Sequence, residues 1–145
     1  MIKLRITGLE ELRKTLSPEK FDEVCDALLE RTAKVLCDEV ANLSPVRTGR
    51  LMASWAYVKI SAAEYVVGST VEYAPYVAFG TRPHVIYPVR AKALRFEVDG
   101  EVVYAKYVHH PGTQPNPFIF DAIRLVRNRF KSFARNIIKN LLGGE

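Results

Sequence analysis

The chain has 145 residues, 48% of them hydrophobic and 26% charged, with a net charge of +5 and a pI near 9.3. These proportions exclude a disordered or low-complexity chain, and the length suits a single domain, 1–145, that buries roughly 70% of its unfolded surface. No stretch approaches the ~20 apolar residues of a membrane span, and residues 1–6 lack the apolar run of a signal peptide, so a protein made in a cytosol, with no membrane contact, is expected.

Residues 2–7 alternate apolar and polar and predict a short strand, broken at Gly8. A short helix over 9–16 follows, with Leu9, Leu12 and Leu16 on one side. Ser17-Pro18-Glu19 is a helix start: a capping hydroxyl, a proline at the first position and an early carboxylate. From Phe21 through Val24, Leu28, Leu36 and Val40 to Leu43, apolar residues recur every three or four, which predicts an amphipathic helix over 18–43 ended before Pro45. In the loop 44–50, Thr48 is placed to cap a helical turn reaching Ser54. Residues 55–60 and 65–71 read as strands. Residues 73–79 fit a strand or a short helix, because Pro75 disturbs a ladder. After the turn 80–83, Leu94, Phe96 and Val98 alternate with charged residues as a half-buried strand, Asp99-Gly100 signals a tight hairpin, and the return strand runs from Glu101 to about Val108. Three prolines within 109–117 dictate an extended, stiff segment. Asn116 is then placed to cap a second long helix over 117–142, whose buried stripe includes Phe118, Ala122, Val126, Phe130 and Ile137, with Gly143-Gly144 at its end. The fold class is α+β: a mostly antiparallel sheet of four to six strands packed against two long helices.

Charge is segregated. Residues 18–43 carry seven carboxylates against three basic side chains, net −4; residues 117–142 carry six basic side chains against Asp121, net +5. This fits two solvated helix faces, or surfaces that meet within the subunit or between neighbours, or a basic helix on nucleic acid phosphates. Opposite patches on one subunit suit a head-to-tail contact that closes into a ring.

Chemistry-bearing patterns are absent. Cys25 and Cys37 lie twelve residues apart on one helix, ~18 Å at ~1.5 Å per residue, too far for a disulfide; their acidic surroundings raise the thiol pKa and dull them as nucleophiles. On a strand, His109 and His110 point to opposite faces, and no cysteine or carboxylate stands at a zinc-like spacing beside them or His84. No serine sits in a nucleophile elbow and the glycines form no phosphate-cradling loop. The expectation is no catalytic residue, no metal and no cofactor.

Four segments carry a resemblance: Thr7-Gly8-Leu9-Glu10-Glu11-Leu12; Ser44-Pro45-Val46-Arg47-Thr48-Gly49-Arg50-Leu51 with Ser54; Tyr73-Ala74-Pro75-Tyr76-Val77-Ala78-Phe79-Gly80-Thr81; and His110-Pro111-Gly112-Thr113 with Pro115, Pro117, Phe118 and Ala122. In this order and spacing the chain, from about residue 3 to 125, resembles the phage neck or tail-completion family called gp-ten-like, to which the minor tail protein Z group is also similar. Ala78 departs from the acidic residue often found there. The resemblance implies a non-enzymatic virion component of a tailed phage or prophage, present in host cytoplasm during assembly. It also implies a ring of copies docked to tail terminator or tail tube and to head-closure or connector proteins, near packaged DNA. The alternative is a basic nucleic-acid-binding module using the C-terminal helix.

On this reading, loops 44–50, 80–90 and 109–117 are docking arms, because stiff proline-rich segments lose less entropy on docking. The candidate interface comprises Arg47, Thr48, Gly49, Arg50, Tyr76, Phe79, Gly80, Thr81, Arg82, His110, Pro111, Gly112, Thr113, Pro117 and Phe118, many of them residue types enriched at interfaces.

Overall fold

The structure is a computed structural model that describes residues 1–143 except Ile6 and Ala63. In chain order the elements are β1 (Ile2–Leu4), α1 (Glu10–Thr15), α2 (Pro18–Leu43), a 3-10 turn (Met52–Ser54), β2 (Trp55–Ser61), β3 (Glu64–Ser69), α3 (Ala74–Phe79), β4 (His84–Ile86), β5 (Leu94–Val98), β6 (Glu101–Ala105), β7 (Val108–His110) and α4 (Phe118–Leu142). They gather into two compact units, one of Met1–Ala74 with Pro117–Glu145 and one of Pro75–Asn116.

The first unit is built on α2. Its start is the expected one: Ser17 stands at the cap, its hydroxyl accepts a hydrogen bond from the Lys20 amide at 3.3 Å, and Pro18 occupies the first turn. Its end is set at Ser44, whose hydroxyl donates to the Val40 carbonyl at 2.7 Å and accepts from the Trp55 indole at 2.9 Å, before Pro45 stops the helix. Val24, Leu28, Leu36 and Val40 are fully buried. Against this stripe α4 lays Val126 and Ala134, and Phe130, Ile137 and Leu141 close over a cluster centred on Val24, Leu28 and Ala134, with Leu12 and Leu16 at the edge. Each fully buried leucine contributes on the order of 2 kcal/mol through area removed from water.

On α2 also packs a three-stranded antiparallel sheet of order β1-β3-β2. The central strand alternates as a half-covered strand must: Tyr65 and Val67 are buried, while Glu64, Val66 and Gly68 are only partly so. The β1 register places Ile2 opposite Val67 and Leu4 opposite Tyr65. The strand expected over 2–7 is thus cut to three paired residues, and Ile6 lies outside the described residues, as does Gly144 beyond α4.

The two oppositely charged helices meet within the subunit. Arg129 Nη1 on α4 lies 2.6 Å from Glu39 Oε1 on α2, so part of the charge segregation serves this packing. Both thiols are raised above the usual cysteine value, first by burial and then by a neighbouring carboxylate, Asp22 for Cys25 and Asp38 for Cys37. Burial therefore outranks the acidic surroundings as the cause.

Asp26 ties α2 to the sheet. Its Oδ1 receives the Lys59 ammonium at 2.5 Å and the Tyr65 hydroxyl at 3.0 Å. The hydrogen bond from Lys59 holds this carboxyl below the usual carboxylate range, helped by the Tyr65 hydroxyl and the Lys59 charge and opposed by slight burial. A carboxylate lowered on folding adds stability above its unfolded pKa of ~3.9, and that stability is lost as pH falls through the lowered folded value. Asp26→Asn is therefore expected to denature at lower urea than the parent at pH 7, with the gap in midpoints shrinking as pH falls below ~4.

Two capping expectations are corrected. Thr48 does not cap the turn at Met52–Ser54; Leu51 precedes it, with no side-chain cap, and the Ala53 amide reaches back to the Gly49 carbonyl at 2.9 Å. Pro117 and not Asn116 stands at the cap of α4, and the Asn116 amide donates to the Val77 carbonyl at 3.1 Å. The α+β class and both long helices stand as expected. The strands, however, are divided among one three-stranded and two two-stranded sheets.

Candidate docking interface

The second unit begins in α3. Pro75 lies in the first turn, where its missing N–H breaks no helical hydrogen bond, and this decides for helix over strand. Ala78 is buried, at 3% exposed, so the departure from an acidic residue at this position places a methyl group where a charge would be costly. Tyr76 and Phe79 are each 61% exposed.

Next comes a clasp. The Thr81 amide donates to the Thr113 carbonyl at 3.0 Å, the Thr113 amide donates to the Thr81 carbonyl at 3.1 Å, and the Thr81 hydroxyl lies 3.0 Å from that same Thr113 amide. Each threonine follows a glycine with positive φ, +71° at Gly80 and +89° at Gly112. A Cβ on Gly80 would collide with the Thr113 carbonyl oxygen, and a Cβ on Gly112 with the Thr81 carbonyl oxygen. The two Gly-Thr pairs are thus reciprocal halves of one junction. Glycine is required twice over at each, by backbone conformation and by the closeness of the opposite chain.

Beyond the clasp β4 and β7 pair antiparallel, with His84 opposite His110, Val85 opposite His109 and Ile86 opposite Val108. The His84 and His110 rings stack with centroids 5.0 Å apart. The Gly112 amide donates to His110 Nδ1 at 3.1 Å, and His84 Nδ1 lies 2.9 Å from the Arg82 carbonyl. Segments 80–90 and 109–117, expected as loops, are zipped to each other over their inner parts. As expected, His109 and His110 alternate; the partner that β-pairing supplies to His110 is His84. Among the described residues no group of three or more His, Cys, Asp or Glu could hold a metal ion.

The unit ends in the hairpin β5–β6, with Leu94 opposite Ala105, Phe96 opposite Val103 and Val98 opposite Glu101. Asp99 (φ +52°) and Gly100 (φ +85°) form its turn, with the two left-handed residues a type I′ turn needs. The half-buried face expected on Leu94, Phe96 and Val98 is not covered: Phe96 and Val98 are exposed, as are Val102 and Tyr104 on the other face. The strand was legible; the lack of a layer to cover it was not.

Across residues 75–116 twelve large apolar side chains are exposed, Val89 at 95%, while Ala78 is the one buried apolar residue. A segment this short with so little core is expected to be marginal in water, as two-stranded hairpins are. The clasp and paired strands hold its backbone, and its side chains remain available to another surface.

The other anticipated interface residues are distributed differently. Arg47, Thr48 and Arg50 are exposed on the loop after α2, around a Gly49 with φ +75°. Pro117 caps α4, and Phe118 is 2% exposed with its ring edge-on to Trp55 at 6.1 Å. Phe118 is thus a core anchor in this chain, its burial fixing the start of α4. Sequence reading passed over Val89, Phe96, Val98, Val102 and Tyr104. The signal was the run Val102-Val103-Tyr104, apolar on both faces of a strand.

The α+β scaffold thus carries a second unit whose backbone is clasped by two Gly-Thr pairs and whose large apolar side chains are exposed. Residues 9–80, about half of the chain, match the family model described as "Bacteriophage HK97-gp10, putative tail-component". Over that segment, which holds the second motif and most of the first and third, the chain belongs to the HK97-gp10-like family of phage tail components. No curated protein and no solved structure matches it. No helix among the described residues is long and apolar enough to cross a membrane.

Proposed function

We propose that this tail-component family member works in the head–tail joining region of a tailed phage or prophage, as a ring of copies docked to tail proteins on one side and connector proteins on the other, without catalytic turnover. The observation that carries the reading is the second unit: a backbone clasped between Thr81 and Thr113 and presenting twelve exposed apolar side chains. A joint protein needs contact surface held ready before its partner arrives, since preorganisation lowers the entropy lost on docking. Exposed tyrosines such as Tyr76, Tyr87 and Tyr104 supply large contact area at little rotamer cost.

The test is genetic and structural. Removing the gene from its particle-forming system is expected to leave filled heads and finished tails unjoined, and restoring it to return joined particles that contain the protein. Joined particles formed in its absence would refute the reading. Tyr104→Asp is expected to lower the yield of joined particles at least ~tenfold with the thermal unfolding of the purified subunit unchanged, because the side chain is exposed before docking and buried after it.

One observation favours a nucleic-acid role as the second reading. On α4, Arg127, Lys131 and Arg135 are exposed and form no ion pair with another described residue. Binding to duplex DNA by the isolated subunit, weakening steeply with salt, would support it.

A further inference from the structure

The first unit carries an open groove of about 870 Å³ between β1, α2 and α4. Its floor is apolar, formed by Leu29 and Leu36 of α2 and Val126 and Phe130 of α4. Its rim is basic: Arg5 after β1 and Arg127 and Lys131 on α4 form no ion pair with another described residue, while Lys3 is engaged by Glu64 at 3.2 Å. Along one side runs β1, an edge strand paired among the described residues to β3 alone. An apolar floor, a basic rim and an open strand edge together specify an occupant: an extended or hairpin segment, apolar in alternation, with acidic groups along it.

The chain itself contains such a segment. The β5–β6 hairpin bears Glu97, Asp99 and Glu101 about its turn, none in an ion pair with another described residue, and its exposed apolar residues are Phe96, Val98, Val102, Val103 and Tyr104. Three rim cations face three hairpin carboxylates in number, and both strand edges of the hairpin lack a further partner among the described residues.

We propose that the β5–β6 hairpin of one copy seats in the β1–α2–α4 groove of the next. The contact joins two different surfaces, so it is head-to-tail and repeats from copy to copy, which is what a closed ring requires. It deepens the ring-assembly reading above by naming the surfaces that meet. Apolar residues of the hairpin would cover the groove floor while its carboxylates meet Arg5, Arg127 and Lys131, and the charge match would fix polarity and register.

The test uses the full chain. A photo-activatable phenylalanine analogue at Val98 is irradiated at rising protein concentration and the adducts mapped, beside sedimentation of two charge-reversed variants, Glu97→Lys with Glu101→Lys, and Arg127→Glu with Lys131→Glu. Expected are adducts between Val98 and α4 or β1 of a different copy, and self-association weakened at least ~tenfold in each variant alone and restored when the two are mixed. Adducts within one chain, adducts to duplex DNA added as a probe, or a wild type that neither associates nor cross-links would overturn the proposal. So would charge-reversed variants that associate like the wild type. A protein found in joined particles yet failing these tests would leave the neck reading standing and remove only this contact.

Discussion

Gly80→Ala and Gly112→Ala are each expected to open the clasp and release amide protection at Thr81 and Thr113 by on the order of a hundredfold. Two costs combine. An alanine at φ +71° or +89° occupies the left-handed region at roughly 1–2 kcal/mol. Its methyl group would also overlap a backbone carbonyl oxygen of the opposite strand, Thr113 in one case and Thr81 in the other, and no rotamer change can relieve an overlap with backbone. The chain must part, and the hydrogen bonds of 3.0 and 3.1 Å part with it. Together the terms reach about 3 kcal/mol, the size of a hundredfold change in an opening equilibrium. Hydrogen exchange followed residue by residue would read it. Protection at Thr81 and Thr113 unchanged in both variants would refute the clasp as the element that closes the second unit. Gly100→Asn is the control, since asparagine tolerates the left-handed region and nothing lies within 4 Å of a Cβ there.

The second large effect lies in the first unit. Leu28 is 1% exposed at the centre of the cluster where α2 meets α4, with Val24 and Ala134 beside it and Phe130 and Ile137 among the partly buried residues packed around it. Leu28→Ala is expected to cost about 3–4 kcal/mol, the transfer free energy of the lost methyl groups plus that of a cavity whose helical walls relax only in part. Urea denaturation followed by far-UV circular dichroism would show a lower midpoint with little change in slope. A loss below about 1 kcal/mol would mean that the α2–α4 contact is looser than the burial of Leu28 implies. Removing the surface pair Arg129–Glu39 by Arg129→Ala is expected to cost less than about 1 kcal/mol, since the arginine end is largely exposed.

Much of the first unit was legible because local chemistry and tertiary need agree there. Ser17-Pro18 starts α2, Pro45 ends it, and the three-to-four residue spacing from Val24 to Val40 names the buried face. The hairpin turn at Asp99-Gly100 was equally plain, because positive φ at two successive residues leaves few alternatives. The caps at Thr48 and Asn116 failed because the two helical segments begin later than expected, with Leu51 and Pro117 at their starts and no side-chain cap at either.

The candidate site was half visible. Gly80, Thr81, Gly112 and Thr113 were all singled out on two docking loops, without their pairing to each other. Their mutual pairing spans 32 residues, and no local pattern records which distant glycine a carbonyl will approach. Phe118 was chosen for its motif and proved to be a core residue against Trp55, because an aromatic ring at a helix start reads the same whether another element covers it or not.

By itself, then, the sequence determined the two long helices, their faces, the hairpin and the family, since each is written in short-range spacing of residue types. Tertiary structure alone decided that the two Gly-Thr pairs close on one another, that His84 stacks on His110, that α2 and α4 share an ion pair, and that the apolar strands of residues 75–116 go uncovered. The physical reason is that backbone propensity acts over a few residues, whereas burial is a property of what arrives from elsewhere in the chain.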